Sequence, residues 1–418
     1  MVNVQEPISL GPFRLDTSTN RLRRNGANLE LRPRAFRVLQ VLLQNPGHLV
    51  DYSRMIREAW DGIQVSHHTI AVTIGEIKDV LGEYGNWIIC RPKFGYCLEV
   101  PKSEDLIRRG WHFWNQYTRV GFENALRCFE DAAELDSADF RAFEAISSTH
   151  LMLVGFLMRA PRDTYGPFLQ AHNRAVALCG LTPELRLDRA FGLCVFERNL
   201  AEAERELLAV KEDLPASALL YIRLALVYLA WGRVPEARAL MQQAEAADAL
   251  SPELAFLGIV LRLFAREFEG AAQWGKNAVD LHPSSHVGRA FYADALDHAG
   301  RTEEAVAQYR LATTLSPDTG WVRADQARCL AAHGRTAEAE EILNCLRANR
   351  ETEYADGYHL GLLLEALGRR DEAFEELDQA YEERSYALIF ATLDPKADSL
   401  RADTRFQRLH NRVFAAAG

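Results

Sequence analysis

Apolar residues in the first hundred positions come in short bursts, and one stretch among them keeps a long helical rhythm. In Val65 to Leu81, VSHHTIAVTIGEIKDVL, the residues Ile70, Ile74, Ile77 and Leu81 recur at the spacing of one helix face. The opposite face carries His67, Ala71, Gly75, Lys78 and Asp79, mostly small or polar. Upstream, Ile8–Leu10, Phe13–Asp16, Arg21–Arg24 and Leu29–Leu31 are brief apolar or alternating runs that predict strands. Asn25-Gly26 between the last two is a hairpin signal. Pro33 suits the first turn of a helix with Phe36, Leu39, Val41, Leu42 and Leu43 inward, ended by Asn45-Pro46-Gly47. A second helix from about Ser53 to Trp60 turns Met55, Ile56 and Trp60 inward. Trp87–Cys90 and Tyr96–Val100 predict two strands around RPKFG. The predicted order is a small sheet, three helices and a hairpin.

Beyond Pro101 the strand signals stop, and a repeat emerges. Ala203, Ala237, Ala271, Ala305, Ala339 and Ala373 stand 34 residues apart. Gly232, Gly300, Gly334 and Gly368 lie five residues before their alanines, Ala244, Ala278, Ala312 and Ala380 seven after, and Pro215, Pro283 and Pro317 twelve after. Small residues let paired helices approach closely, the glycine ends the first helix and the proline ends the second. That period and pattern are those of tetratricopeptide repeats. Earlier units are looser, marked by Phe122, Ala125, Phe129 and Ala132 and by a pair over 139–179. About eight repeats over 105–385 predict an α-solenoid held by neighbour contacts. The end breaks the period and predicts a capping helix with Leu400, Phe406 and Leu409 inward. The expected fold class is mainly α, with an N-terminal α+β domain over 1–102, a repeat superhelix over 103–385 and a C-terminal cap over 386–418.

At 418 residues there is length for two or more domains. The net charge of −10 argues against a chain coated in basic surface, but the charge is uneven. Residues 1–102 hold 13 Lys+Arg against 10 Asp+Glu, and the remainder 35 against 48. The seven cysteines are scattered without a C-x-x-C pair, which fits reduced thiols in a cytoplasmic protein. No secretory leader is visible, and the most apolar run, Leu219 to Trp231, is short and contains Arg223. A soluble, cytoplasmic protein without membrane contact is expected.

The pieces LRPRAFRVLQVLLQNPGHLV, REAW, VSHHTIAVTIGEIKDVLG and RPKFGYCLEV resemble the effector domain of OmpR/PhoB-type regulators. Here it stands at the N-terminus, as in CadC- and HilA-like one-component regulators. The resemblance covers about 95 residues and implies a winged helix-turn-helix fold whose third helix reads promoter DNA. At the positions matching the family's DNA-reading residues stand His68, Ala71, Thr73, Gly75, Glu76 and Lys78, where typical members carry several arginines. The expected DNA-binding set is His67, His68, Thr69, Thr73, Glu76 and Lys78, with Arg54, Arg57, Arg91 and Lys93 holding phosphates and Arg34 and Arg37 beside them. Glu76 is a candidate acceptor for a cytosine amine. With so few cations on the helix, a single copy should bind weakly, so a homodimer on DNA or help from a partner is expected.

In the repeat family the first helix of each unit lines a concave groove. Those positions give an apolar centre of Leu219, Ile222, Leu226, Leu229, Phe256, Val260, Leu263 and Phe264. Toward a polar end lie Asp294, Asp297, His298, Trp321, Arg328, Tyr358 and Glu365. Such a groove suits an amphipathic peptide or helix from a protein partner. The family's lysine/asparagine clamp for acidic C-termini is absent. No phosphate-binding glycine loop, nucleophile elbow or zinc-finger spacing occurs, so neither an enzyme nor a cofactor is expected. Asp294, Asp297 and His298 share one face as ordinary polar helix residues rather than a metal site. Two readings remain: a one-component transcriptional regulator, and an interaction scaffold whose winged helix is vestigial or binds protein.

Overall fold

Alternation in the first strands places one side of each residue pair against a core. The computed structural model describes residues 8–10, 13–17, 20–24, 27–100, 102–350 and 353–415. Strands β1 (Ile8–Leu10), β2 (Phe13–Asp16), β3 (Arg21–Arg24) and β4 (Ala27–Leu29) form an antiparallel meander in that order. Leu15 pairs with Leu22 and Leu22 with Leu29, so Phe13, Leu15 and Leu22 share the buried face. The fourth strand begins two residues earlier than expected, with Arg24 paired to Ala27. The expected Asn25-Gly26 hairpin signal lies outside the described residues, as do Gly11-Pro12 and Pro101.

Three helices follow: α1 (Pro33–Leu43), α2 (Tyr52–Ala59) and α3 (His67–Leu81). Asp51 caps α2 by accepting from the Arg54 N–H at 2.8 Å, and Ser66 caps α3 by accepting from the Thr69 N–H at 3.1 Å. Ile70, Ile74, Ile77 and Leu81 of α3 are buried with Phe36, Leu39 and Leu42 of α1 and Met55 of α2 in one core. A strand not foreseen, β5 (Leu49–Asp51), pairs with β7 (Gly95–Leu98), which in turn pairs with β6 (Ile88–Arg91). Three residues carry too little alternation to announce a strand; the pairing of Val50 with Tyr96 makes it one. Gly95 is required there, since a Cβ would stand 2.1 Å from the Val50 carbonyl oxygen.

The chain divides into two compact units, residues 1–109 with 128–142 and residues 110–127 with 143–418, so the division does not fall at a single point near 102. Among the described residues, helices after 102 alternate in eight pairs. These are Ser103–Trp114 with Arg119–Leu135, Phe140–Gly155 with Pro161–Cys179, Pro183–Gly192 with Leu200–Ala209, and Ala218–Ala230 with Val234–Ala247. They continue as Pro252–Phe264 with Phe268–Leu281, His286–His298 with Thr302–Leu315, Gly320–Ala332 with Thr336–Ala348, and Gly357–Ala366 with Arg370–Glu382. All six register alanines have no exposed surface, as the close helix crossing requires. Gly232, Gly300, Gly334 and Gly368 end their helices at φ of 71, 77, 80 and 75°. The two repeats without that glycine place Arg198 and Arg266 in the same left-handed conformation, at φ of 55 and 62°.

The last segment is more than a cap. Helix Thr404–Ala415 buries Phe406, Leu409 and Val413. Before it, residues 386–400 form two short 3-10 turns, Tyr386–Phe390 and Pro395–Leu400, that run as a strap against the inner helices of the solenoid. Arg266 pairs with Asp398 through two hydrogen bonds of 2.9 and 2.8 Å, and buried Arg198 reaches the Tyr381 and Ser385 carbonyls at 3.4 Å. Both strained arginines thus hold the strap or the chain entering it.

Candidate functional site

Helix α3 turns one face inward and leaves the other bare. His68, Thr69, Ala71, Val72 and Asp79 are exposed, Val72 by 52%. Thr73, expected among the DNA-reading residues, is instead buried, with its hydroxyl donating to the Thr69 carbonyl at 3.0 Å. Its neighbour Val72 takes the outward place. A count of 3.6 residues per turn from His68 reaches Val72, Gly75 and Asp79, so the pattern contained that residue. His67 lies against Tyr52, ring centroids 3.9 Å apart and nearly parallel, which steadies the start of α3 against α2.

Glu76 was expected to face a base. Its carboxylate accepts from the Arg32 backbone N–H at 3.0 Å and from Arg32 Nε at 2.7 Å. Arg32 is the N-cap of α1 and has no side-chain cap of its own, so Glu76 supplies the acceptor and negative charge that a helix N-terminus favours. The hydrogen bond from the Arg32 side chain holds the Glu76 carboxyl below its ordinary range. Lys78 is partly exposed on the same helix.

The cations expected to hold phosphates have internal counter-charges. Arg54 Nε lies 2.8 Å from Glu58, and Arg57 lies 3.7 Å from the same carboxylate. Arg91 meets Glu99 at 2.5 Å, while Arg34 and Arg37 converge on Asp61 at 3.0 and 2.8 Å. Lys93 stands at the tip of the β6–β7 hairpin at φ 71°, exposed beside Phe94, which is itself 66% exposed. Exposed pairs of this kind are worth at most about 1 kcal/mol.

In the second unit the expected groove residues separate into two groups. Leu219, Ile222, Leu226, Phe256, Val260, Leu263 and Phe264 line an apolar cavity of about 190 Å³. Leu229 does not; it is fully buried within its helix layer. The strap residues Tyr386, Phe390 and Asp394–Lys396 wall the same cavity. The polar end is not an open surface but a buried charge network. Lys396 Nζ bonds Asp325 at 2.7 Å and Asp294 at 3.0 Å, Arg328 bonds Asp297 at 2.6 Å, and the Tyr309 hydroxyl donates to Asp294 at 2.5 Å. Tyr358 donates to Asp394 at 2.9 Å, and Trp321 packs on Phe291 and His359. Asp294, Asp297, Trp321, Arg328 and Tyr358 are therefore engaged by the chain itself. Burial opposes the charge of Lys396, but Asp294, Asp325 and Asp394 outweigh it and hold the ammonium above its ordinary range.

Asp297, Cys329 and His333 bring ligand atoms within 4.8 Å of one another. Arg328 and His333 already occupy the carboxylate, and burial first, with Asp297 adding to it, pushes the Cys329 thiol up, so the cluster reads as an ion pair. Among the described residues no helix is long and apolar enough to cross a membrane.

Residues 26–98 match the family described as Transcriptional regulatory protein, C terminal, and residues 290–319 match the tetratricopeptide repeat. Over 103 residues the chain is 29% identical to Transcriptional activator CadC of Escherichia coli, covering 23% of this chain and 20% of that protein. Over 75 residues it is 31% identical to the Phosphate regulon transcriptional regulatory protein PhoB of Rhizobium meliloti, covering 18% and 33%. The chain thus spans a third or less of the length of these curated relatives. Two solved structures of monomeric IFIT1 mutants, with Gppp-AAAA and with m7Gppp-AAAA, align at TM-scores of 0.51 and 0.52 and 15% identity. They cover 87% and 86% of this chain and 84% of theirs, a likeness of fold alone. The first hundred residues carry an OmpR/PhoB-type winged helix domain of the DNA-binding transcription regulators, and tetratricopeptide repeats follow it in the same chain.

Proposed function

We propose that this protein is a one-component transcriptional regulator, in which the winged helix binds promoter DNA and occupancy of the solenoid controls that binding. The observation that carries the reading is α3: a capped helix with a fully buried inner face and an outer face of His68, Ala71, Val72, Gly75 and Asp79 that the fold leaves unused. Small and apolar side chains there suit close approach to a major groove and its thymine methyl groups. Phosphate contacts come from Lys93, Lys78 and the surface arginines Arg54, Arg57 and Arg91 once their weak internal pairs are exchanged. The recognition helix is poor in cations, so a second copy on adjacent half-sites supplies the remaining affinity.

Selection of bound sequences from a random duplex pool with the full chain, followed by a mobility-shift assay, tests the proposal. A recovered consensus that shifts at low salt supports it; a folded chain that shifts no duplex at low salt rejects it. One observation favours the scaffold reading instead: Ile63, Val72 and Phe94 are exposed apolar residues of the same domain, 62, 52 and 66% accessible. Under that reading Val72→Ala and Phe94→Ala would abolish capture of a protein partner and leave no DNA binding to lose.

A further inference from the structure

One carboxylate in the cavity between the strap and the inner helices lacks a cation. Glu253 accepts from the Tyr117 hydroxyl at 2.7 Å and from the Ser251 hydroxyl at 3.1 Å, and among the described residues no Lys, Arg or His pairs with it. It lines the cavity and keeps part of its surface accessible, whereas Asp294 and Asp394 of the same wall are 2 and 7% exposed. Burial first, then the charge of Glu253, holds the Tyr117 phenol well above its ordinary range, so that hydroxyl stays protonated and donates. The first turn of the helix Pro252–Phe264 offers Glu253 only the partial positive charge of a helix N-terminus.

The other charges of the wall do not supply the missing cation. Arg223 bonds Asp188 at 2.9 Å, and Lys396 is shared between Asp294 at 3.0 Å and Asp325 at 2.7 Å, with Asp394 also acting on it. His359 is held by Asp356 at 3.0 Å. Burial first, then Arg328, keeps His298 below its ordinary range and so neutral at pH 8. Each cation has a carboxylate of its own, and the wall is left with an excess of negative charge. An anion would add to that excess, and a cation would reduce it.

The rest of the wall is apolar. Glu253, Leu257, Val260 and Phe264 recur at the spacing of one helix face and all line the cavity, so that face runs from the carboxylate to the apolar centre. The rise from Glu253 to Val260 is about 10 Å, close to the length of an extended octyl chain. Phe156 and Phe256 both line the cavity with centroids 6.3 Å apart, and Tyr117, the donor to Glu253, packs edge-on against each at 6.0 and 6.1 Å. Aromatic rings are favourable neighbours for an ammonium group. The cavity volume of about 190 Å³ exceeds the roughly 150 Å³ known to take benzene, which allows about ten non-hydrogen atoms.

We propose that this cavity binds a small organic cation, an ammonium head on an apolar body, with the head at Glu253 and the body among Leu226, Leu257 and Val260. The site deepens the proposed control role of the solenoid and rests on that reading only for its consequence at DNA.

Isothermal titration of the full chain with octylamine, octanamide and octanoate at pH 8 tests it. Octylamine, a cation at that pH, should bind one to one, with octanamide about tenfold weaker and octanoate weaker still. Glu253→Gln keeps an acceptor for the Tyr117 hydroxyl, so the fold should persist. It should weaken octylamine about tenfold and leave octanamide unchanged. Leu226→Trp, which fills the cavity, should abolish binding of both. Absence of octylamine binding, octanoate bound as tightly, or octylamine binding indifferent to Glu253→Gln would overturn the assignment. The last is what adsorption of a cation onto an acidic chain would give. Octylamine bound with DNA affinity unaltered would count against the control reading and leave the site standing.

Discussion

Glu76 shows how one side chain can look like a reading residue and serve the fold. On α3 it is one turn from Val72 and was expected to meet a base, yet its carboxylate completes the N-terminus of α1 through Arg32. Glu76→Ala should therefore lower the melting temperature by a few degrees and leave the relative preference among bases unchanged. Binding of single-base variants of the selected duplex checks this; a loss of preference at one base pair would restore the base-reading role. Thr73 and Val72 make the same point from the other side. The helix and its buried stripe were legible from the isoleucine spacing, whereas the choice between two adjacent residues depended on how far the helix is rotated, which its neighbours set. Arg198 and Arg266 were hidden as gaps in the glycine register. A left-handed residue other than glycine costs on the order of 1 kcal/mol, and each arginine offsets that cost through its reach to the C-terminal segment. Arg266→Gly should thus change global stability little, yet speed hydrogen exchange of residues 394–400. Unchanged exchange there would mean the Asp398 pair does nothing for the strap.

The strap over 386–400 is the element that the pattern of the chain conceals most. It has no period, and its anchors lie far away in sequence: Lys396 bonds Asp325 and Asp294, 71 and 102 residues upstream. The repeats were readable because each contacts its neighbour at a fixed spacing, so the small residues recur. The strap makes its contacts once. Lys396→Met leaves Asp294 and Asp325 buried without their cation, and should destabilise the second unit by about 3–5 kcal/mol in a denaturant titration. A loss below about 1 kcal/mol would contradict the network as drawn.

His359 gives the strap a pH dependence. Burial opposes its charge, but Asp325 and the hydrogen bond to Asp356 outweigh burial, and Lys396 opposes them, leaving the imidazole above its ordinary value. A raised histidine contributes stability that is fully present below its unfolded value of about 6.5 and is lost as pH rises through the folded value. Protease susceptibility of residues 386–400 should therefore increase between pH 6 and pH 9 and no longer do so in His359→Gln. Susceptibility that falls over that range would reverse the sign argued here.

Across the whole chain, charge divides the labour. The N-terminal residues 1–102 are mildly basic, with 13 Lys+Arg against 10 Asp+Glu, on a chain of net charge −10. The order of elements, with the resemblance of four stretches to the OmpR/PhoB-type effector domain, made the domain type legible in the sequence. The state of the arginines was not legible, since Asp61, Glu58 and Glu99 reach them only in the folded domain. Under the proposed function, phosphate contact would exchange one counter-ion for another, and Lys93 at the hairpin tip would be the cation that gives up least. Lys93→Ala should weaken binding on every duplex alike and reduce the slope of affinity against salt by about 0.9.

The central claim is that the exposed face of α3 selects a sequence while the surrounding cations supply the hold. Fluorescence anisotropy of the full chain, on its selected duplex and on a scrambled one across several salt concentrations, tests it most directly. The account predicts affinity for both duplexes that falls steeply with salt, and a preference for the selected one of about a hundredfold or more that persists as salt rises. Equal affinity for the two duplexes, or no binding at the lowest salt, would contradict it.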